Sequence, residues 1–218
     1  YKKIKQSPAD ADIIVIEGTY SDRNHKSLSA SVDELQQAIV DTCRRGGNVL
    51  IPSFAIERAQ DILYYLREMR EQGSIPACNV YLDSPMAINV ADIMRKAPVY
   101  FDKETARLFP NKADTVSFPG LKLTRNPEES MKINFIKSHA IIIAGSGMCT
   151  GGRITHHLKH NIWRKESSII FVGYQAEGTL CRKIIDGHKT VKIFEASYKV
   201  RSTIYTIGGF SDHADRDI

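Results

Sequence analysis

Short apolar runs rich in β-branched residues alternate with amphipathic stretches along this chain. Ile13 to Ile16 is a continuous apolar run, the pattern of a buried strand. Ser31 and Glu34 have capping-box spacing, and Val32, Leu35, Ile39 and Cys43 share one helical face. Gly46 and Gly47 end that helix. Val49–Ile51 predicts the next strand, which feeds a helix with Ala59, Ile62, Leu63, Leu66 and Met69 on its apolar side. Val80–Leu82 predicts a strand and Pro85 opens a helix. Residues 103–120 show no regular period. Asn126-Pro127-Glu128-Glu129 reads as a cap with an acidic first turn. Ala140–Ala144 and Ile169–Val172 predict strands, followed by helices through His160 and Ile185. Val191–Phe194 and Val200–Ile207 predict the last two strands. The order is βαβα, so the fold class is α/β: a mostly parallel sheet with helices on both faces.

Composition adds limits. Of 218 residues, 42% are hydrophobic and 25% charged, the balance of an ordinary globular protein. No apolar run approaches the roughly 20 residues of a membrane span, so no membrane partner is expected. A net charge of +5 favours an anionic partner. Cys43, Cys78, Cys149 and Cys181 form no CxxC pair and have no zinc-finger spacing, which suits reduced thiols in a cytoplasmic protein. The sequence opens on Tyr1 and stops at Ile218, just after the helix-start pattern Ser211-Asp212-His213-Ala214-Asp215, and so reads as a segment of a longer chain.

Four strand-to-helix turns share one chemistry: Pro52-Ser53-Phe54-Ala55, Asp83-Ser84-Pro85, Gly145-Ser146-Gly147-Met148 and Ala176-Glu177-Gly178-Thr179. Each puts hydroxyls or glycines at the carboxyl end of a strand, the edge where open α/β sheets bind ligands. Backbone N–H groups and helix dipoles there suit phosphate. Arg58, Arg153 and Arg182 follow near helix starts, and guanidinium forks match phosphate oxygens. A nucleotide loop is excluded: Gly147 and Gly152 have Walker spacing, but Arg153-Ile154 replaces Lys-Ser/Thr. A dinucleotide fingerprint starting at Gly145 needs glycine where Thr150 stands. His156 and His160 share a helical face, but lack the glutamate and third ligand of a helical zinc site. Several phosphate-binding turns on one rim suit an extended nucleic-acid strand.

These residues also carry a resemblance. Glu17-Gly18-Thr19-Tyr20 with Asp22-Arg23 and His25, Ile51 to Gln60, Tyr81 to Ala87, Ser146 to Arg153 with His157-Leu158, Val172 to Leu180, and Phe210 to Asp215 resemble, in order, the sequence blocks of the β-CASP ribonucleases. That family belongs to the metallo-β-lactamase superfamily. Gly18, Ser21, Cys181 and Asp212 depart from its usual Ser, Gly, Gly and Ala.

The resemblance implies a zinc-dependent ribonuclease that hydrolyses RNA phosphodiester bonds in RNA processing or decay. Two zinc ions would sit at an HxHxDH motif in a metallo-β-lactamase αββα lobe, into which the β-CASP domain is inserted as a substrate clamp. No HxHxDH occurs in these residues, so no catalytic metal ligand is assigned here and this segment alone is expected to be inactive. Residues 1–20 would be an edge of that lobe, 21–204 the β-CASP domain, and 205–218 the return to the lobe. Glu17 and His213 map onto the family's catalytic acidic residue and histidine. His213 would bind the scissile phosphate or donate a proton to the leaving oxygen, with Glu17 orienting its imidazole. The expected substrate-binding set is Ser53, Arg58, Ser84, Ser146, Gly147, Arg153, Gly178 and Thr179. RNA is the expected partner, and a homodimer of the full-length protein is open. A non-catalytic RNA-binding scaffold and a DNA-processing relative are the alternatives.

Overall fold

The computed structural model describes residues 10–96, 117–211 and 213–216. Residues 1–25 with 212–218 form one compact unit, and residues 26–211 form the other. The division expected from the resemblance, at 20/21 and 204/205, is one of domains and not of compact units, whose boundaries lie at 25/26 and 211/212. The last parallel strand and the buried Ile207 and Phe210 keep residues through 211 with the larger unit. Two sequence features lie outside the described residues: part of the irregular stretch 103–120, and Asp212.

In the larger unit the described elements are α1 (Leu28–Arg44), β1 (Val49–Pro52), α2 (Arg58–Glu71), β2 (Asn79–Asp83), α3 (Pro85–Lys96), β3 (Leu121–Leu123), α4 (Pro127–Ile133), β4 (Ala140–Ala144), α5 (Arg153–Asn161), β5 (Ser168–Phe171), α6 (Leu180–Ile185), β6 (Thr190–Ile193), β7 (Ala196–Lys199) and β8 (Thr203–Thr206). Six strands make one sheet in the order β3-β2-β4-β1-β5-β8. All its pairings are parallel. Strands β6 and β7 make a separate antiparallel hairpin.

The strands carry almost unbroken apolar runs because both faces are covered. Val49, Ile51, Val80, Leu82, Ile141, Ile143 and Ile170 pack with α1, α2 and α3 on one face. Leu50, Ala144, Ile169 and Phe171 point the other way and pack with α5, α6 and β6. Ala140 and Ile142 cover α4 through Ile133 on that second side. One residue of register separates these sets, as strand geometry requires. All four cysteines are free and buried, and Cys149 and Cys181 belong to the second core.

Several boundaries differ from the sequence reading. Helix α1 is capped by Ser27, whose side chain accepts from the Ala30 N–H at 3.2 Å. Ser31 lies inside the helix and is fully buried, so the Ser31/Glu34 pair is not the cap. The tract Val200–Ile207 is not one strand. β7 turns back on β6, and only Thr203–Thr206 joins the sheet, beside β5. Strand β3 has three residues, too few to show a period. In the smaller unit Ile13–Ile16 forms no strand and is exposed. A strand needs hydrogen-bonding neighbours, and no described strand supplies one. Among the described residues no helix is long and apolar enough to cross a membrane.

Gly47 marks the tightest approach of backbone to backbone. A Cβ there would lie 1.9 Å from the Glu166 carbonyl oxygen, where the chain enters β5. Gly47→Ala is therefore expected to cost about 3 kcal/mol through forced backbone movement. Urea denaturation measures it, and an unchanged midpoint would contradict this packing.

Candidate functional site

Parallel pairing brings the carboxyl ends of β2, β4, β1 and β5 side by side on one rim. The turns after them interlock. The Ser53 N–H donates to the Ala144 carbonyl at 3.0 Å. A Cβ on Gly145 would stand 3.7 Å from the Ser53 carbonyl oxygen and 3.9 Å from Ser84 Oγ, so three turns meet at this glycine. Gly147 lies under the Phe54 ring, where a Cβ would come within 2.9 Å of it. Gly152 needs its φ of 76° and lies against the Gly145 carbonyl, 2.4 Å from where its own Cβ would be.

The predicted substrate residues take different tasks on this rim. Ser84, Ser146 and Thr179 are half-buried and Gly178 is exposed with open space around it. Ser84 Oγ accepts from the Ala87 N–H in the first turn of α3 at 3.3 Å. Ser146 Oγ accepts from the Thr150 N–H and closes the glycine loop. Thr179 caps α6 by accepting from the Arg182 N–H at 3.2 Å. Ser53 and Gly147 are buried beneath the surface, and the Ser53 hydroxyl donates to the Phe54 carbonyl. Arg58 pairs with Asp61 at 2.8 Å, one turn along its own helix.

Arg153, predicted among the phosphate contacts, is turned inward. Its Nη1 donates to Asp83 Oδ1 at 2.6 Å and to the Thr124 carbonyl at 2.9 Å, and Nη2 reaches the Arg125 carbonyl. Asp83 is the last residue of β2 and its side chain is 0% exposed. His157 Nε2 and Ser130 Oγ each meet Asp83 Oδ2 at 2.6 Å. His157 Nδ1 meets Asn134 at 2.9 Å. A buried carboxylate is tolerable only with such partners. Burial pushes the Asp83 carboxyl up, but the bonds from His157, Ser130 and Arg153 outweigh it and hold the group below the ordinary carboxylate range. Arg153 therefore positions the rim. Asp83 and His157 were legible only as a charge ending an apolar strand and a histidine on a helix.

The smaller unit holds the predicted pair Glu17 and His213, and the chain brings them together. His213 Nδ1 lies 2.7 Å from Glu17 Oε2. The Ala214 N–H donates to Glu17 Oε1 at 2.8 Å, and the Thr19 hydroxyl donates to Oε2 at 2.8 Å. The Ala214 N–H, then Thr19, then His213 hold the Glu17 carboxyl at about 2. The imidazole is 53% exposed and the carboxylate 43%. Thr19, two residues beyond Glu17, was missed because a threonine in an irregular stretch carries no signal of its own. Among the described residues no three His, Cys, Asp or Glu side chains converge as metal ligands.

Two outcomes follow from these carboxylates. Removing Asp83 leaves the Arg153 guanidinium and the buried His157 and Ser130 without their shared partner, so Asp83→Ala is expected to cost about 3–5 kcal/mol in urea denaturation. Because the folded-state carboxyl lies below its unfolded value, its contribution is complete above about pH 4 and fades as pH falls further. Wild type should then lose stability below that pH more steeply than Asp83→Asn, and parallel curves would contradict the network. For Glu17, carboxyl NMR should show an ionised group throughout the descent from neutral pH to about pH 4, the ordinary glutamate midpoint. A midpoint near that ordinary value would contradict the bonding seen here.

Comparison with known proteins gives this geometry its context. The Beta-Casp domain profile matches residues 59–184. Over 210 residues the chain is 39% identical to Ribonuclease TTHA0252 of Thermus thermophilus, covering 96% of this chain and 48% of that protein. It is 36% identical to transcription termination factor FttA of Methanocaldococcus jannaschii, covering 94% of this chain and 33% of that protein. With FttA of Thermococcus kodakarensis it shares 35% identity at the same coverage, 94% and 33%. The chain spans about half or less of the length of these curated relatives. The profile takes in more than half of the 218 residues, including the β2, β4 and β5 ends and the buried Asp83, and the chain belongs to the Beta-Casp family.

Proposed function

We propose that this chain is the substrate-clamping domain of a zinc-dependent, cytoplasmic ribonuclease that hydrolyses RNA phosphodiester bonds in RNA processing or decay. The observation that carries this reading is the accessible His213–Glu17 pair. Glu17 meets the Nδ1 side of the ring, and in this reading the substrate oxygen is met at Nε2. From there His213 binds the scissile phosphate or gives a proton to the leaving oxygen. Glu17 stays ionised throughout because its carboxyl is held at about 2. The relatives named ribonuclease and transcription termination factor support RNA as substrate.

On the rim, Ser84, Ser146, Gly178 and Thr179 take the RNA phosphates, with helix amino termini behind them. Ser53, Gly147, Arg58 and Arg153 set the shape of those turns. The zinc ions of this reading have their ligands outside the described residues. In this reading residues 1–20 and 205–218 belong with a metallo-β-lactamase lobe supplied by the rest of the full-length protein.

The test is cleavage of single-stranded RNA by the full-length protein with zinc, beside its His213→Ala variant. Loss of an acid or an oxyanion donor is expected to lower kcat about a hundredfold. Normal cleavage by His213→Ala would overturn the site assignment. RNA binding without any cleavage by wild type would favour a scaffold instead, and preference for DNA of the same sequence would point to a DNA-processing enzyme.

A further inference from the structure

A second histidine–carboxylate pair lies in the smaller unit. Asp215 Oδ1 meets His25 Nδ1, and Oδ2 accepts from the His25 backbone N–H at 3.2 Å. This pair is far less accessible than the first: the His25 side chain is 10% exposed and Asp215 24%. Tyr20 covers it. The Tyr20 ring stands edge-on to His25 with centroids 4.0 Å apart, and 6.1 Å from the ring of His213. Tyr20 and Asp215 also form a parallel backbone bridge. His25 Nε2 is buried and has no hydrogen-bond partner among the described residues.

The four residues 213–216 are thus tied one after another to residues 17–25. His213 and Ala214 bind Glu17, Asp215 binds Tyr20 and His25, and the Arg216 N–H donates to the Arg23 carbonyl at 3.1 Å. Of the two histidine–carboxylate links, the Asp215 one is largely buried and the His213 one is not. Exposed side-chain pairs such as His213–Glu17 hold their geometry weakly, because solvent competes with them and two mobile side chains must be ordered. The sheltered link two residues away is shielded from that competition.

We propose that Asp215 and His25 are positioning residues that hold His213 in register with Glu17, without touching substrate. This inference rests on the catalytic reading of His213. The buried Nε2 fits it, since an imidazole sealed on that side presents nothing to RNA. Asp215 serves two N–H donors of the same residue, and only a carboxylate offers an acceptor to each. Asparagine in its place necessarily turns an NH₂ toward one of them.

The experiment is steady-state RNA cleavage by the full-length protein with zinc, with five variants beside wild type: Asp215→Asn, His213→Ala, their double mutant, His25→Asn and His25→Gln. Misplacement of a reacting group by about 1 Å costs on the order of a hundredfold, so Asp215→Asn should lower kcat about 10- to 100-fold and leave KM within about twofold. The double mutant should be no slower than His213→Ala alone, because Asp215 acts through His213. His25→Asn keeps an N–H where Nδ1 stands and should recover most of the activity, whereas His25→Gln, which mimics Nε2, should not. Full activity in Asp215→Asn overturns the proposal, as does a double mutant slower than His213→Ala by the whole Asp215 factor. Recovery by His25→Gln and not by His25→Asn overturns it too, by giving Nε2 a role of its own. If His213→Ala itself cleaves normally, the catalytic reading fails first, and that result is separate from the others. Should Asp215→Asn not fold, the His25→Asn and His25→Gln pair decides alone.

Discussion

A carboxylate with no contact to water stands at the end of β2, and the rim is arranged to keep it ionised. Asp83 gathers Arg153 from the start of α5, His157 one turn further on, and Ser130 from α4. Arg153 then reaches the carbonyls of Thr124 and Arg125, beyond the end of β3. One side chain therefore fixes the angle at which two helices and a connecting segment meet the carboxyl edge of the sheet. With α5 anchored, its first turn receives the Gly145–Gly152 loop, and Gly145 brings the Ser53 and Ser84 turns together. Hydrophobic burial holds the layers together, but it is non-directional. The ionic network supplies the directions.

The chain uses the same device three times, and burial decides what each copy can do. Asp83–His157 is sealed completely, so it serves architecture. His25–Asp215 is mostly sealed and joins two distant stretches of sequence. His213–Glu17 is open to solvent on both sides, and there a histidine held at Nδ1 can meet a substrate at Nε2. The chemistry of the three pairs is nearly identical. Their difference in exposure comes from the surroundings: a strand end between helices for Asp83, the Tyr20 ring packed 4.0 Å from His25, and the same ring standing 6.1 Å off from His213.

The parallel sheet with helices on both faces was legible because its strands are continuous apolar runs at regular intervals, with period 3.6 between them. The rim could be read from Ser, Gly and Pro after four of those runs, and Glu17 and His213 from their sequence blocks. What could not be read depends on distance in sequence. Arg153 looked like a phosphate ligand because nothing local reveals a buried partner 70 positions earlier. The true cap of α1 was hidden because Ser27 lacks a glutamate three residues on, while Ser31 has one. Ile13–Ile16 has strand composition, yet pairing is a property of neighbours and not of the run itself. Asp215 stood in the same sequence block as His213, but nothing in that block shows that its partner is His25.

The claim at the centre of this account is that His213, held by Glu17, acts on the RNA phosphate. The most direct measurement is a structure of the full-length protein bound to single-stranded RNA with a non-hydrolysable linkage at the cleavage position. The account predicts His213 Nε2 within about 3 Å of a non-bridging or leaving oxygen of that linkage, with Nδ1 still on Glu17. A scissile phosphate out of reach of His213, with the imidazole facing only water, would contradict it.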